Sequence, residues 1–292
     1  MSLFLGEKIS LEYSLHGKVD DDVIVLIRGL GTQMIDWPDK FIDGLISSGL
    51  RVLTFDNRDV GLSQKFDDDV FPNLGDIARG TSQPAYTLKD MASDVIALLD
   101  ELAINKAHVY GISMGGMIAQ LLAVNYPSRL HSMLTVMSSS SRRDLPSATP
   151  EAQQSLMSRP DPEGGVEAIY TSIAEGLMIC GSPDYPETLE TRLAIAKRRH
   201  QRNYNPAGVA RQMAAVIHDG DRSDRLKTIT VKTTVVHGAD DPLIPLACGE
   251  DTAACITDSD LVVVDGMGHN LPEALVPEMV SIINRHIEKC SH

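Results

Sequence analysis

Val109-Tyr110-Gly111-Ile112-Ser113-Met114-Gly115-Gly116 is an apolar strand end running into Gly-x-Ser-x-Gly. Gly111 and Gly115 flank Ser113 two residues to either side, where side chains would collide in a sharp turn. With none there, the chain can pass tightly from strand to helix and project the Ser113 hydroxyl outward. Met114 to Ala123 is rich in helix formers, which sets the serine at a helix N-terminus with free N–H groups aimed at it. Such a serine can act as a nucleophile while its surroundings stabilise the anion it generates. Alone the pattern is weak, since average glycine and serine usage yields it in about one chain in ten of this length.

Two further segments give it context. Val235-Val236 leads into His237-Gly238-Ala239-Asp240-Asp241-Pro242, a β-branched run ending in a Gly-x-x-Asp-Pro loop. Leu261-Val262-Val263-Val264 runs into Asp265-Gly266-Met267-Gly268-His269-Asn270. A nucleophilic serine needs a neutral imidazole to take its proton, and that imidazole needs a carboxylate to fix its tautomer and steady its positive charge. Ser113, Asp241 and His269 supply the three groups, each just after a strand, where loops at the carboxyl edge of a parallel sheet converge.

These segments resemble the α/β-hydrolase fold of serine hydrolases, whose triad follows the same chain order. The likeness runs nearly end to end. Arg28-Gly29-Leu30-Gly31 stands where the family usually has His-Gly-x-Gly, and Asp56-Asn57-Arg58-Asp59-Val60-Gly61-Leu62-Ser63 is similar to its Asp-x-Arg-x-x-Gly-x-Ser turn. Ser113-Met114-Gly115-Gly116-Met117 is similar to the elbow of enol-lactone hydrolases, cofactor-free haloperoxidases and small bacterial esterases, and other segments to that of polyketide methyl esterases. The resemblance implies a mostly parallel, eight-stranded-type sheet flanked by helices, with the backbone N–H groups of Leu30 and Met114 as oxyanion donors. It favours Asp241 over Asp240 as the triad acid, leaving Asp240 as a solvated or loop-bracing acid, and gives Asp56 and Arg58 a bracing role. Arg28 departs from the family pattern. It reads either as an anion or polar contact in the substrate pocket, or as an arginine paired with a nearby acid.

At 292 residues with 43% hydrophobic content, the chain can bury the core of one large domain. Its 26 basic and 40 acidic residues give a net charge of −14, which argues against phosphate backbones and anionic membranes as partners. No apolar run approaches the length of a membrane span. Met1 to Leu5 is briefly apolar but is cut off by Glu7 and Lys8, unlike a signal peptide. Cys180, Cys248, Cys255 and Cys290 form no C-x-x-C pair, and such scattered thiols suit a reducing cytoplasm. No His/Cys/carboxylate cluster has metal spacing and no glycine loop cradles a nucleotide, so neither metal nor cofactor is implied.

Strand and helix patterns alternate through Lys8–Tyr13, Val23–Ile27, Arg51–Phe55, a helix opened by Thr87, Lys106–Tyr110 and Leu130–Met137. From 141 to 225 the rhythm changes to proline-punctuated helical segments, including Glu187–Arg202 and Pro206–His218. This reads as a helical cap inserted into a core of residues 1–140 and 226–292, placed to exclude water and shape the pocket. Alternation resumes at Thr233 and ends in a helix over Leu275–Lys289. Candidate pocket residues are Arg28, Trp37, Met117, Met178 and Asn270. The function expected is hydrolysis of a small-molecule carboxylic ester or lactone through an acyl-Ser113 intermediate. A cofactor-free haloperoxidase or perhydrolase and a carbon–carbon bond hydrolase use the same triad, and a ligand receptor on a hydrolase scaffold is the non-enzymatic alternative. An aspartate-nucleophile dehalogenase is disfavoured by the serine. Oligomeric state is left open.

Overall fold

The structure is a computed structural model that describes residues 2–5, 9–66, 71–158, 160–161 and 163–290. Eight strands are β1 (Ser2–Leu5), β2 (Ile9–His16), β3 (Asp22–Ile27), β4 (Leu50–Phe55), β5 (Ala107–Ile112), β6 (Leu130–Val136), β7 (Thr233–Gly238) and β8 (Asp260–Val264). They form one sheet in the order β1-β2-β4-β3-β5-β6-β7-β8. The pairings β1–β2 and β2–β4 are antiparallel and every later one is parallel. The expected first strand began at Lys8, which lies outside the described residues.

The helices are α1 (Asp39–Ser47), α2 (Leu74–Ala78), α3 (Leu88–Glu101), α4 (Met114–Asn125), α5 (Pro150–Met157), α6 (Gly165–Ile179), α7 (Leu189–Arg202), α8 (Pro206–Asp219), α9 (Ser223–Leu226), α10 (Leu246–Cys255) and α11 (Val276–Glu288). Thr87 opens α3 with a capping box, its hydroxyl accepting the Asp90 N–H while the Asp90 carboxylate accepts its own. Along α3, Leu88, Met91, Val95, Leu98 and Leu99 are buried at three-four spacing, whereas Leu102 at the end is only partly covered.

Successive strand residues serve opposite faces. Val23, Val25 and Ile27 join α3 and α4 in one core, while Ile24 and Leu26 join Phe41 and Leu45 of α1 and Met279, Ile282 and Ile283 of α11 in the other. With helices on both faces, β5 and β7 are buried along their whole length.

The chain leaves β3 to build β4 on one side and returns on the other with β5. The carboxyl ends of β3 and β5 therefore border a crevice at the switch of strand direction. The connection from β6 to β7 carries α5 to α9 and, among the described residues, no strand. Element ends differ from the sequence reading by one or two residues. The elbow strand runs on to Ile112, α7 starts at Leu189 because Thr188 caps it, and the last helix follows a 3₁₀ turn over Glu273–Leu275.

Candidate active site

The turn after β5 is enforced by steric exclusion. A Cβ at Gly111 would lie 2.2 Å from the Gly115 carbonyl oxygen, and one at Gly115 would lie 2.2 Å from the Ile27 carbonyl oxygen. Both contacts are with backbone and neither neighbour can yield. Ser113 itself takes φ 58°, ψ −121°, a conformation that costs a non-glycine residue about 1–3 kcal/mol and persists only where its surroundings impose it. Its N–H donates to Val136 O at 2.9 Å and its carbonyl accepts the Ser138 hydroxyl at 2.9 Å, which pins the strained residue from both sides.

His269 lies in the loop after β8, with Nε2 3.0 Å from Ser113 Oγ and Nδ1 2.7 Å from Asp241 Oδ2. A ring protonated at Nδ1 donates to Asp241 and leaves Nε2 free to accept the serine proton. The other Asp241 oxygen accepts the N–H groups of Leu243 (2.9 Å) and Ile244 (2.8 Å), so the buried carboxylate is fixed in position. Asp240 has a different task. Its Oδ2 accepts the Gly266 N–H at 3.1 Å and ties the acid's loop to the histidine's loop. Behind them the buried His237 donates from Nε2 to Ile244 O at 2.8 Å, a bracing role that its place beside the loop gave no sign of.

The turn after β3 rests against Ser113: a Cβ on Gly29 would stand 3.1 Å from Ser113 Cβ. Thr32 donates from N–H (3.3 Å) and from its hydroxyl (2.8 Å) to Gly29 O. The Gly31 N–H is held at 2.9 Å by Gln212 Oε1 of α8, and Gln212 Nε2 donates to Arg58 O at 2.7 Å. Among the described residues, neither the Leu30 nor the Met114 amide has an acceptor. Both residues line the cavity that Ser113 and His269 also line.

That cavity has a volume of about 1650 Å³, with the α5–α8 segment supplying much of its wall. Arg28, Trp37, Met117 and Asn270 line it, and Met178 does not. The expectation for Met178 is corrected by helix phase. Ile169, Ile173 and Leu177 of α6 face the cavity, and Met178, a hundred degrees further round, is 45% exposed. Trp37 is 2% exposed and stacks on Phe41, so it is a core residue with one edge on the cavity. Asn270 accepts the Ser182 hydroxyl (2.6 Å) and donates to Glu187 (3.0 Å), while His269 N–H donates to Cys180 O (2.8 Å). The helical segment thereby fixes the histidine loop. Burial, aided by Asp241, raises the Cys180 thiol to about 11, so this cavity-facing cysteine stays protonated.

The Asp56–Ser63 turn is a brace. Asp56 accepts the Met34 and Leu62 N–H groups and pairs with Arg202 at 2.7 Å, while Arg58 forms a two-point pair with Asp94 at 2.7 and 2.6 Å. Asp59 is held by Arg211 of α8 and by Tyr86.

Rhodomycin D methylesterase of Streptomyces peucetius is 24% identical over 97% of each chain. A 3-oxoadipate enol-lactonase of Acinetobacter baylyi is 25% identical over 89% of this chain and 86% of its own. A meta-cleavage product hydrolase of Pseudomonas fluorescens superposes with TM-score 0.78 at 18% identity, covering 99% of this chain and 97% of that one. A family model described as the alpha/beta hydrolase fold matches residues 22–273. The glycine-enforced serine turn after β5, the acid after β7 and the histidine after β8 all fall inside that span, and the chain belongs to the α/β hydrolase fold family.

Proposed function

We propose that the protein hydrolyses a carboxylic ester or lactone through an acyl-Ser113 intermediate. The observation that carries this reading is the continuous hydrogen-bonded line Ser113–His269–Asp241, opening on a cavity that two unengaged amides also face. His269 takes the Ser113 proton as Oγ attacks the carbonyl carbon, and the Leu30 and Met114 amides stabilise the oxyanion. His269 then returns the proton to the leaving alkoxide. In the second half it activates water, which releases the acid and restores Ser113. Asp241 holds the imidazole and steadies the imidazolium.

The relatives' names, a methylesterase and an enol-lactonase, support ester and lactone bonds as the class cleaved. Segment 141–225 acts as the cap in this reading. At about 1650 Å³ the cavity exceeds the roughly 300–1,000 Å³ usual for small-molecule sites, which favours bulky substrates. The test is a serine-directed fluorophosphonate run beside a panel of esters of varied acyl and alcohol size. Wild type should label at one site per chain and turn over part of the panel, and Ser113→Ala should do neither while keeping its thermal midpoint. Full labelling of the alanine variant would overturn the assignment, and tight ligand binding without turnover in wild type would favour a receptor.

A further inference from the structure

We infer that the Arg28 guanidinium seats a carboxylate carried by the substrate beside its scissile carbonyl, making the preferred esters or lactones acidic ones. This rests on the ester-hydrolase reading of Ser113. Arg28 lines the catalytic cavity directly before Gly29 and Leu30, the turn that lies against Ser113. Its guanidinium stacks on Trp37, with Cζ 4.5 Å from the ring centroid.

An arginine in such a place is ordinarily matched by an acid of the protein, and here that acid is already engaged. Asp36 is the acid whose charge acts most strongly on Arg28, yet it accepts Arg199 Nε at 2.8 Å and the Gln33 N–H at 2.8 Å. Glu187, further along the same wall, is engaged by Arg192 at 2.6 Å. Among the described residues Arg28 has no ion pair, and its Nε is buried without a hydrogen-bond partner. Trp37 Nε1 and the Tyr110 hydroxyl, in the same ring cluster, are buried and unpartnered too. Each of these groups can donate, and none of them is an anionic acceptor.

A buried cation without a hydrogen-bonded partner is costly, and Asp36, whose charge reaches it, accepts its hydrogen bonds from Arg199 and Gln33 instead. The part of Arg28 that is accessible opens to the cavity it lines, so the terminal nitrogens present their planar fork where a ligand enters. A carboxylate fits that fork with two parallel hydrogen bonds. Burial, partly opposed by Asp36, lowers the guanidinium to about 10, so it stays cationic at neutral pH. A chain of net charge −14 repels anions at a distance, so an acidic substrate needs a local cation of this kind.

The experiment pairs esters bearing a free carboxylate, on the acyl or the alcohol side, with the same esters capped as neutral methyl esters. The quantity read is the ratio of kcat/KM for acid over capped substrate. Wild type should favour one acid series at least 10-fold. Arg28→Met should lower that ratio about 10- to 100-fold, the size expected of a hydrogen bond to a charged group. Arg28→Lys, which keeps the charge and loses the fork, should fall between. Binding of the same acid esters by calorimetry to Ser113→Ala, with and without Arg28→Met, gives a readout free of turnover. Arg28-dependent binding without turnover in wild type would sink the hydrolase reading and keep the subsite. Turnover of capped and acid esters at equal ratios in wild type and both Arg28 variants, with no Arg28-dependent binding, would overturn the subsite and leave the hydrolase reading intact.

Discussion

Gln212 Oε1 accepts the Gly31 N–H at 2.9 Å, so a side chain from helix α8, in the segment between β6 and β7, fixes the turn that carries the Leu30 amide. The same amide group donates to Arg58 O at 2.7 Å. One fully buried glutamine thus couples the Gly29–Gly31 turn to the Asp56–Ser63 brace. Ser113 and His269 each follow a strand of the sheet, but the turn that carries the Leu30 amide is held by the helical segment.

Gln212→Leu should therefore lower kcat about 10- to 100-fold, less than the loss from deleting an oxyanion donor outright, because the Leu30 amide remains but its turn is freed. It should also cost about 1–3 kcal/mol of stability, since Gly31 N–H and Arg58 O are left buried and unpaired. Steady-state kinetics beside urea unfolding separate the two effects. A stability loss with unchanged kcat would show that α8 only packs there.

Asp240 and Asp241 are neighbours with different partners, which makes a sharp comparison. Asp241→Asn removes the acceptor for His269 Nδ1–H and favours the wrong tautomer, a change that costs about 10⁴ in kcat in the template serine protease. Asp240→Asn keeps an oxygen for Gly266 N–H and should stay within about threefold of wild type. Single-turnover rates on an activated ester read both, and the opposite ranking would exchange the two roles.

Much of this was legible in the sequence, and the part that was not has a physical reason. The elbow glycines and the helix start at Thr87 are local patterns, and each reports a backbone requirement that few residues satisfy, while the order of serine, acid and histidine was read with the family resemblance. Asp240 against Asp241 was decided only by a motif, because adjacent carboxylates differ in where a loop points them. Gln212 carried no signal, since its role exists only once segments far apart in the chain meet. Met178 was misplaced for a related reason. α6 is apolar on several faces, so composition could not tell which face meets the cavity.

Burial depresses His108 and His286 to about 4, with His131 adding for His108. For His286 the charges of His108, Lys232 and Lys289 add to burial, and Asp260 opposes them. The unfolded chain, with ordinary histidines near 6.5, takes up protons first as pH falls, so this stability is complete above about 6.5 and is lost on the way down to about 4. Each group contributes about 3 kcal/mol over that window. His286→Gln should remove its share of the acid-side slope while leaving the carboxylate contribution common to both proteins. Urea unfolding at several pH values from 7.5 to 4.5 measures the difference, and parallel curves would show that His286 takes up its proton equally in the folded and unfolded chain, so that burial does not depress it.

The segment over the cavity should control which esters enter, and helix phase says which of its residues matter. Leu177 and Ile173 face the cavity one turn apart on α6, while Met178 faces solvent. Leu177→Ala enlarges the cavity and removes no hydrogen bond of the Ser113–His269–Asp241 line. Bulkier esters should gain relative to small ones, by about 10- to 100-fold in the ratio of kcat/KM, in line with one to three kcal/mol for a side-chain-sized change in an apolar pocket. The labelling rate with a very small phosphonate should change little, because it needs no wall contact. Met178→Ala should leave the ratio as in wild type. If Met178→Ala shifts the ratio and Leu177→Ala does not, the face of α6 has been assigned wrongly. If Leu177→Ala slows every ester and the small phosphonate alike, the substitution has disturbed the fold or the triad, and size control by this segment is refuted.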